Sequence, residues 1–328
     1  MGKMEAKRTK DARRWSEAMG KTLTFRQDGA FKLMQLTDIH FTNDDAADHK
    51  TVALMRELIA AEKPDFIMTT GDTVYGERNI EFLDKALAPV LEAGVPWGYV
   101  FGNHDVEFAS NKQELFSRLL EMPGCMAAHD PASGDGMGNC VLELQNHEGN
   151  AEWLLFGVDS GDYCPLPGVG GYAYVTPRQI QWYRDQIAAY EKRGLPFSAM
   201  VFMHMALPEY AEVWDYEICY GTKRDGIGCS RINSGFFSAM LEAGHTKAVF
   251  VGHDHVNDYW GRLHGVALGY GRCTGFGTYG AQDYPRGCRV FLFHEGDTER
   301  FETYERLEHS TLVDEPWTQH PLMKRDEG

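Results

Sequence analysis

Five short apolar segments of this sequence each end in aspartate, asparagine or histidine, and this pattern constrains the fold more than any other feature. The apolar segments have the length and composition of buried β-strands and alternate with stretches of helical periodicity. Polar residues at the carboxyl ends of strands in an open α/β sheet meet at one ligand site. The five motifs in chain order are Asp38-Ile39-His40, Gly71-Asp72, Gly102-Asn103-His104-Asp105, His204 and Gly252-His253-Asp254-His255.

The order of the predicted elements indicates the fold class. A βαβαβα order is followed by a mixed region and, after about residue 256, by short β-type runs. This order predicts an α/β sandwich of two sheets flanked by helices. We expect one domain over residues 22–307, a charged N-terminal arm at 1–21 and a surface tail at 308–328, which contains acidic residues and proline.

The residue types in the five motifs suit a pair of divalent cations. Asp, His and Asn supply oxygen and nitrogen ligands without a thiolate, which disfavours a structural zinc site. Asp38 and His40 would alternate on an extended strand and point the same way, as would His253 and His255. Each motif alone is also compatible with a plain turn or a satisfied core histidine. Their order and spacing together favour a metal site.

These motifs resemble those of the calcineurin-like metallophosphoesterases over roughly residues 30 to 295. The segments GDTVYG, FGNHDVE and VGHDHVNDYWG are similar to the divergent purple acid phosphatase-like branch found in plants, fungi and bacteria. The resemblance implies a four-layer αββα sandwich of two mixed sheets flanked by helices. It also implies hydrolysis of phosphate esters, with phosphomonoesters favoured, by in-line attack of a metal-bound hydroxide.

The resemblance also assigns roles to individual residues. The metal ligands would be Asp38, His40 and His255 for the first ion, Asn103, His204 and His253 for the second, and Asp72 as the bridge between them. The ions would be Mn, Zn or Fe. His104 would stabilise the transition state or protonate the leaving oxygen. Asp105 would orient His104 or a metal-bound histidine.

One residue departs from the pattern of true purple acid phosphatases. Tyr75 stands three residues after Asp72, where those enzymes carry the tyrosinate that binds ferric iron, and they have glycine in place of His40. One coordination position is not expected to hold both side chains. We therefore expect His40 to be the ligand and Tyr75 to line the site, with a Mn, Zn or Fe(II)-containing pair rather than a purple Fe(III) centre.

The segment 206–235 lies between two metal motifs and is rich in aromatic and charged residues. It could form a rim over the site, with Lys223, Arg224 or Arg231 contacting a phosphate, although charged loops are usually just solvated. Asp162, in a turn after a predicted strand, is a further candidate for substrate contact and equally a simple cap. Tyr75 is included among the candidates for substrate contact.

Composition limits the partners and the location. A net charge of −16 disfavours duplex nucleic acid, and no apolar run approaches the roughly 20 residues that span a bilayer. The seven cysteines are scattered without a CxxC pair, and the N-terminus has no apolar signal region, so we expect a reducing, cytoplasmic location. The expected partner is a small phosphorylated substrate or a phosphoprotein.

Two alternatives to a phosphomonoesterase remain open at this point. The same metal core would serve a phosphodiesterase acting on cyclic nucleotides or other small diesters. In a different class, the fold could be a non-catalytic interaction scaffold. Scaffold relatives typically lose metal ligands, whereas all seven matched positions are filled here.

Overall fold

The computed structural model describes residues 22–108 and 111–324, and the predicted arm at 1–21 lies outside these ranges. The strands are β1 (Thr22–Thr24), β2 (Ala30–Leu36), β3 (Phe66–Thr70), β4 (Trp97–Val100), β5 (Cys140–Gln145), β6 (Ala151–Gly157), β7 (Ser198–Phe202), β8 (Cys219–Tyr220), β9 (Thr246–Val251), β10 (Trp260–Leu263), β11 (Val266–Tyr270), β12 (Gly287–His294), β13 (Glu302–Leu307), β14 (Thr311–Val313) and β15 (Thr318–Gln319). The helices are α1 (Ala46–Glu62), α2 (Asn79–Ala86), α3 (Ala88–Ala93), α4 (Lys112–Leu119), α5 (Pro177–Glu191), α6 (Glu209–Tyr216) and α7 (Phe236–Ala243).

These strands form two mixed sheets. The larger sheet has the order β1-β5-β6-β7-β9-β11-β10-β8-β15, and the smaller has the order β14-β13-β12-β2-β3-β4. In the smaller sheet β2, β3 and β4 run parallel. In the larger sheet β6, β7 and β9 run parallel. Each parallel group brings the carboxyl ends of its strands to one edge, where the predicted motifs follow.

Three apolar clusters separate the layers. The cluster between the sheets contains Phe31, Trp153 and Phe250. A second cluster packs α1 and α2 on the outer face of the smaller sheet, and a third packs α5 and α7 on the outer face of the larger sheet. Two sheets buried face to face, each covered by helices, give the predicted four-layer αββα sandwich.

Local sequence signals set the starts of the long helices. At α5 the Thr176 hydroxyl accepts the N–H of Gln179, and the side-chain oxygen of Gln179 accepts the N–H of Thr176. Pro177 occupies the first helical position. A capping hydroxyl followed by proline is a typical signal for the first turn of a helix. At α1 the Asp45 carboxylate accepts the N–H groups of Ala47 and Asp48.

The chain after residue 307 is built into both sheets. β14 pairs with β13, and β15 pairs with β8. Residues 311–313 and 318–319 therefore add strands to the two sheets, while the side chains of 308–324 are exposed or half-buried. Backbone pairing at a sheet edge leaves little mark on composition, because side chains at such an edge stay exposed and polar.

Within the described ranges, the longest helices lack the length and apolarity needed to cross a bilayer.

Candidate metal centre

The two sheets meet at one edge, and the loops after five strands contribute the site. Asp38 and His40 follow β2, Asp72 follows β3, and Asn103 and His104 follow β4. His204 follows β7, and the pair His253 and His255 follows β9. The His204 ring Nδ1 lies 2.8 Å from the Thr70 carbonyl oxygen at the end of β3, which connects the two sheets. Segments more than 200 residues apart therefore form one site.

Asp72 is shared between two groups of ligand atoms. The side-chain atoms of Asp38, His40, Asp72 and His255 lie within 4.8 Å of one another, and so do those of Asp72, His204 and His253. The Asp72 Oδ2 atom is 3.5 Å from His40 Nε2 and 3.1 Å from His204 Nε2. Both groups are buried. A carboxylate common to two such groups is the arrangement expected of a bridging ligand.

The backbone of the ligand loops is strained. Asp38, His40, Asp72 and His253 have φ between 47° and 74°, the left-handed region that non-glycine residues rarely adopt. Each such residue costs of order 1–3 kcal/mol and persists only where its surroundings hold it. The expected extended strands through Asp38–His40 and through His253–His255 are therefore wrong. The left-handed turn at His253 places this residue with His204, whereas His255 joins Asp38.

Two glycines allow the loops to approach one another. A Cβ atom on Gly71, whose φ is 91°, would lie 2.4 Å from His204 Nδ1. A Cβ atom on Gly102 would lie 2.1 Å from Asp72 Oδ1. Both distances are far below van der Waals contact, so any side chain at these positions would push the ligand loops apart.

Divalent cations fit the polar atoms of this site. Within the described residues, the buried Asn103 Oδ1 atom has no hydrogen-bond partner, and the buried atoms His40 Nε2 and Asp72 Oδ2 face only other ligand atoms of the site. Asn103 directly precedes His104, whose N–H donates to Asp72 Oδ1 at 2.8 Å. Buried polar atoms are almost always satisfied in folded proteins. A pair of bound cations would satisfy Asn103 Oδ1 and the ligand atoms around the shared carboxylate, and the N/O ligand set suits Mn, Zn or Fe.

The electrostatics of the site favour cation binding. Burial alone would raise the pKa of Asp38, but His255 and His204 outweigh it and lower the pKa to about 2. Burial lowers the pKa of His253 to about 3, with His204 adding to the effect. For His204, burial is outweighed by Asp72, which raises its pKa to about 10. The carboxylates therefore stay ionised, and a cation would displace the proton that His204 carries beside Asp72.

Asp105 supports the metal loop and does not orient a histidine. Its carboxylate accepts the N–H groups of Asp72 (3.1 Å), Thr73 (2.8 Å), Val74 (3.1 Å) and Gly102 (2.8 Å). Burial, followed by the charge of Asp72, raises the pKa of Asp105 to about 6. All four hydrogen bonds go to backbone, so the predicted contact with His104 or with a ligand imidazole is wrong.

Glu107 takes the orienting role that the sequence assigned to Asp105. The Glu107 carboxylate contacts Nδ1 of His104 in a short hydrogen bond. It also accepts the hydroxyl of Tyr163 at 3.1 Å. The His104 ring lies 5.3 Å from the His40 ring, between centroids. A carboxylate on Nδ1 fixes the tautomer and leaves Nε2 of His104 for a substrate.

Tyr75 forms part of the wall beside these histidines. Its ring packs edge-on against His104, with centroids 4.8 Å apart, and against Phe108 at 5.1 Å. The His40 ring is 6.1 Å away, between centroids, and its Nε2 atom lies 3.5 Å from Asp72 Oδ2. His40 belongs to the first ligand group, whereas Tyr75 packs beside it and is not among the residues that line the cleft. A substrate contact of Tyr75 stays a prediction.

An open cleft leads to the metal ligands. The residues that line it are Asp72, His104, Tyr172, Asp225, Gly226, Ile227, Gly228, His253, Asp254, His255, Thr278 and Tyr279. Residues 225–228 belong to the segment 206–235 that the sequence proposed as a rim. Tyr172 packs edge-on against His253 at 4.5 Å, and Tyr279 stacks on His255 at 4.1 Å, between ring centroids.

The cations proposed for substrate contact lie elsewhere. Arg224 pairs with Asp283 at 2.7 Å, and the Arg231 guanidinium donates to the Val169 carbonyl at 2.8 Å. Lys223 forms a backbone bridge with Asn257 and does not line the cleft. Arg224 and Arg231 have partners from distant segments, and none of the three residues lines the cleft, so their contact with a substrate stays a prediction.

Asp162, the remaining predicted substrate contact, is also absent from the cleft wall. It pairs with Lys112 Nζ at 2.8 Å, and the same ammonium group contacts Asp159 at 2.8 Å. Asp162 therefore belongs to a charge cluster behind the site.

Some residues of the site had no strong sequence signal. Thr278 Oγ1 lies 2.8 Å from His255 Nδ1 and so fixes that ring, and Tyr172 and Tyr279 cover two ligand histidines. These three residues lie in turn-like segments without a motif. Glu107 could have been found, because it follows His104 by three residues within the segment FGNHDVE.

Comparisons with known proteins point to one family. The family model described as calcineurin-like phosphoesterase matches residues 31–257. A "probable inactive purple acid phosphatase 28" from Arabidopsis thaliana is 32% identical over 303 residues, which cover 82% of this chain and 76% of that protein. "Probable inactive purple acid phosphatase 29" from the same plant is 29% identical over 342 residues, covering 90% of this chain and 88% of that protein.

A solved structure shares the fold. The crystal structure of a dimetal phosphatase from Danio rerio aligns with a TM-score of 0.58 at 14% sequence identity. The alignment covers 88% of this chain and 98% of that chain.

Proposed function

Because this chain belongs to the calcineurin-like phosphoesterase family, we propose that it is a dimetal-dependent hydrolase of phosphomonoesters. The observation that carries the proposal is the Asp72 carboxylate, which is common to the two groups of buried ligand atoms. The substrate would be a small phosphorylated molecule or a phosphoprotein. The names of the Arabidopsis relatives, which are purple acid phosphatases, support monoesters over diesters.

The chain would hold the two ions with the residues that the geometry brings together. One group is Asp38, His40, Asp72 and His255, and the other is Asp72, His204 and His253 together with Asn103. Two divalent ions bound there would activate a water molecule and neutralise charge on the phosphoryl group.

His104 is the residue placed to act on the leaving group. Its side chain is 28% exposed at the cleft, and its backbone N–H is tied to Asp72. Glu107 holds Nδ1, so Nε2 would donate its proton to the leaving oxygen as the phosphorus–oxygen bond breaks. Tyr75 packs against the ring and limits its rotation.

The word "inactive" in the names of the Arabidopsis relatives favours a non-catalytic scaffold as the second candidate. Such a protein would bind partners through its surface and would not need a polar cleft that opens onto bound ions. In this chain both ligand groups are complete, and Asp72, His253 and His255 line the cleft together with His104. The two candidates therefore differ in what replacement of His104 should do.

The test measures metal content and turnover together. Protein loaded separately with Mn, Zn or Fe is assayed with p-nitrophenyl phosphate and with bis(p-nitrophenyl) phosphate. We expect two ions per chain, faster hydrolysis of the monoester, and a fall in turnover of about 10²-fold for His104→Ala with both ions retained. Asp72→Asn should lose ions and activity together. Faster hydrolysis of the diester would make the protein a phosphodiesterase, and absence of turnover in every metal form would favour the scaffold.

A further inference from the structure

The outer wall of the cleft lacks positive charge. Among its lining residues in the described part of the chain there is no lysine or arginine. The guanidinium of Arg286 donates to the carbonyl oxygens of two wall residues, Tyr279 (2.6 Å) and His255 (3.3 Å). This side chain is buried, with a relative exposure of 5%. It therefore faces backbone and cannot contact a substrate.

Asp225 places a negative charge on this wall. One of its carboxylate oxygens accepts the hydroxyl of Tyr279, and the other accepts the N–H of Gly226 at 2.8 Å. Neither donor carries a charge, and within the described ranges no lysine or arginine forms an ion pair with Asp225. Glu107 and Asp254 add carboxylates on either side of the histidines. A substrate group that extends beyond the metal ions would therefore face aromatic rings and carboxylates.

We propose that this cleft selects phosphate esters whose leaving group carries no negative charge and discriminates against esters with a further anionic group. The inference rests on the proposed function, since the bound ions would compensate only the phosphoryl group that is transferred. A second anionic group would approach Asp225 without a cation to pair with. The net charge of −16 adds long-range repulsion of polyanions.

Discrimination against a charged ester is a difference between the affinities for two substrates. It is best measured with two esters that differ only in charge. We choose 4-carbamoylphenyl phosphate and 4-carboxyphenyl phosphate, which have nearly the same shape and differ by one charge. For charges about 8 Å apart at an effective dielectric constant near 40, we expect kcat/KM to favour the carbamoyl ester by about fivefold or more. The preference should shrink at high salt, because screening acts on the charged ester.

The substitution Asp225→Asn removes the negative charge of Asp225 and keeps the shape of its side chain. Asparagine can still accept the Tyr279 hydroxyl, so the loop is expected to keep its conformation. The preference for the carbamoyl ester should fall by about fivefold in this variant. The matched control is Asp283→Asn, because Asp283 is a nearby exposed acid that pairs with Arg224 outside the cleft. The control should leave the preference unchanged.

The outcomes distinguish this inference from the proposed function. If neither ester is hydrolysed in any metal form, the proposed function fails and the selectivity fails with it. If both esters are hydrolysed with equal kcat/KM, or if Asp225→Asn and Asp283→Asn leave the same preference, the phosphatase stands and the charge selectivity is overturned. A preference that depends on salt and on Asp225 supports the proposal.

Discussion

The carboxylate of Glu107 contacts the imidazole Nδ1 of His104, one turn away in the loop after β4. Glu107 also accepts the Tyr163 hydroxyl, so its position is fixed from a second side. A carboxylate in this position holds the ring in one tautomer and one orientation. His104 can then act as a general acid only in the orientation that Glu107 sets.

Glu107→Gln should therefore impair catalysis without loss of metal. We expect kcat to fall about tenfold, because the ring of His104 loses the carboxylate that orients it toward the leaving group. Glu81→Gln is the control, since Glu81 pairs with Arg78 at the same i,i+3 spacing on the surface. If Glu107 acts through His104, the double variant with His104→Ala should be no slower than His104→Ala alone. An additive loss would contradict this role.

Asp105 should control metal affinity through the backbone of the Asp72 loop. Removing its carboxylate leaves the N–H groups of Asp72, Thr73, Val74 and Gly102 buried without a partner. Asp105→Ala should weaken metal binding by about 10–100-fold, as measured by competition with a chromophoric chelator.

The control for Asp105 is a buried carboxylate away from the site. Asp130 accepts the N–H of Ala132 and the indole N–H of Trp182 and is 8% exposed. Asp130→Ala should lower stability while metal affinity stays the same. Equal metal affinities for both variants would show that Asp105 acts on folding alone.

The sequence predicted the positions of the ligands but not the conformations that bring them together. Apolar strands that end in polar residues are a local signal, and parallel strands bring such ends to one edge. The left-handed turns at Asp38 and His253 carry no local signal, because neither residue is glycine. They persist because contacts from other segments hold them. One such contact is the hydrogen bond that the His253 N–H donates to the Asp38 carboxylate.

The differences between these predictions and the structure share a physical origin. Whether Asp105 or Glu107 faces His104 depends on how the chain turns after β4, which sequence spacing does not fix. Arg224 and Arg231 were candidates by charge alone, yet each is held by a partner from a distant segment, Asp283 and the Val169 carbonyl. The pairing of 311–319 with two sheets is likewise a backbone interaction that composition does not report.

Tyr75 should not bind a metal, and the colour of the protein tests this. The nearest ligand position is taken by His40, whose Nε2 faces Asp72, while the Tyr75 ring packs on His104 and Phe108. Iron-loaded protein should lack the intense visible band of a tyrosinate bound to Fe(III). Tyr75→Phe should keep both ions, whereas His40→Ala should lose metal at the first group. A purple band that vanishes in Tyr75→Phe would overturn the assignment of His40.

Glu62 should make stability depend on pH in the acid range. It lies at the end of α1 and accepts Lys32 Nζ (2.9 Å), the Tyr304 hydroxyl (2.5 Å) and Arg306 Nε (2.5 Å). Burial raises the pKa of Glu62, but these hydrogen bonds outweigh burial and lower the pKa below its ordinary value of 4.5. The stabilisation is therefore fully present above about pH 4.5 and is lost as the pH falls through the lower pKa of the folded state.

Glu62→Gln tests this dependence by denaturant unfolding of metal-free protein between about pH 3 and pH 7. We expect the variant to be less stable by about 2 kcal/mol near neutral pH, because Lys32 and Arg306 lose their charged partner. The difference from the unmodified protein should shrink as the pH falls below about 4.5, where the glutamate also becomes neutral. Glu92→Gln, in an exposed pair with Arg56, should change stability little at any pH. A difference for Glu62→Gln that stays constant across this range would show that hydrogen bonding, and not the charge of Glu62, stabilises the end of α1.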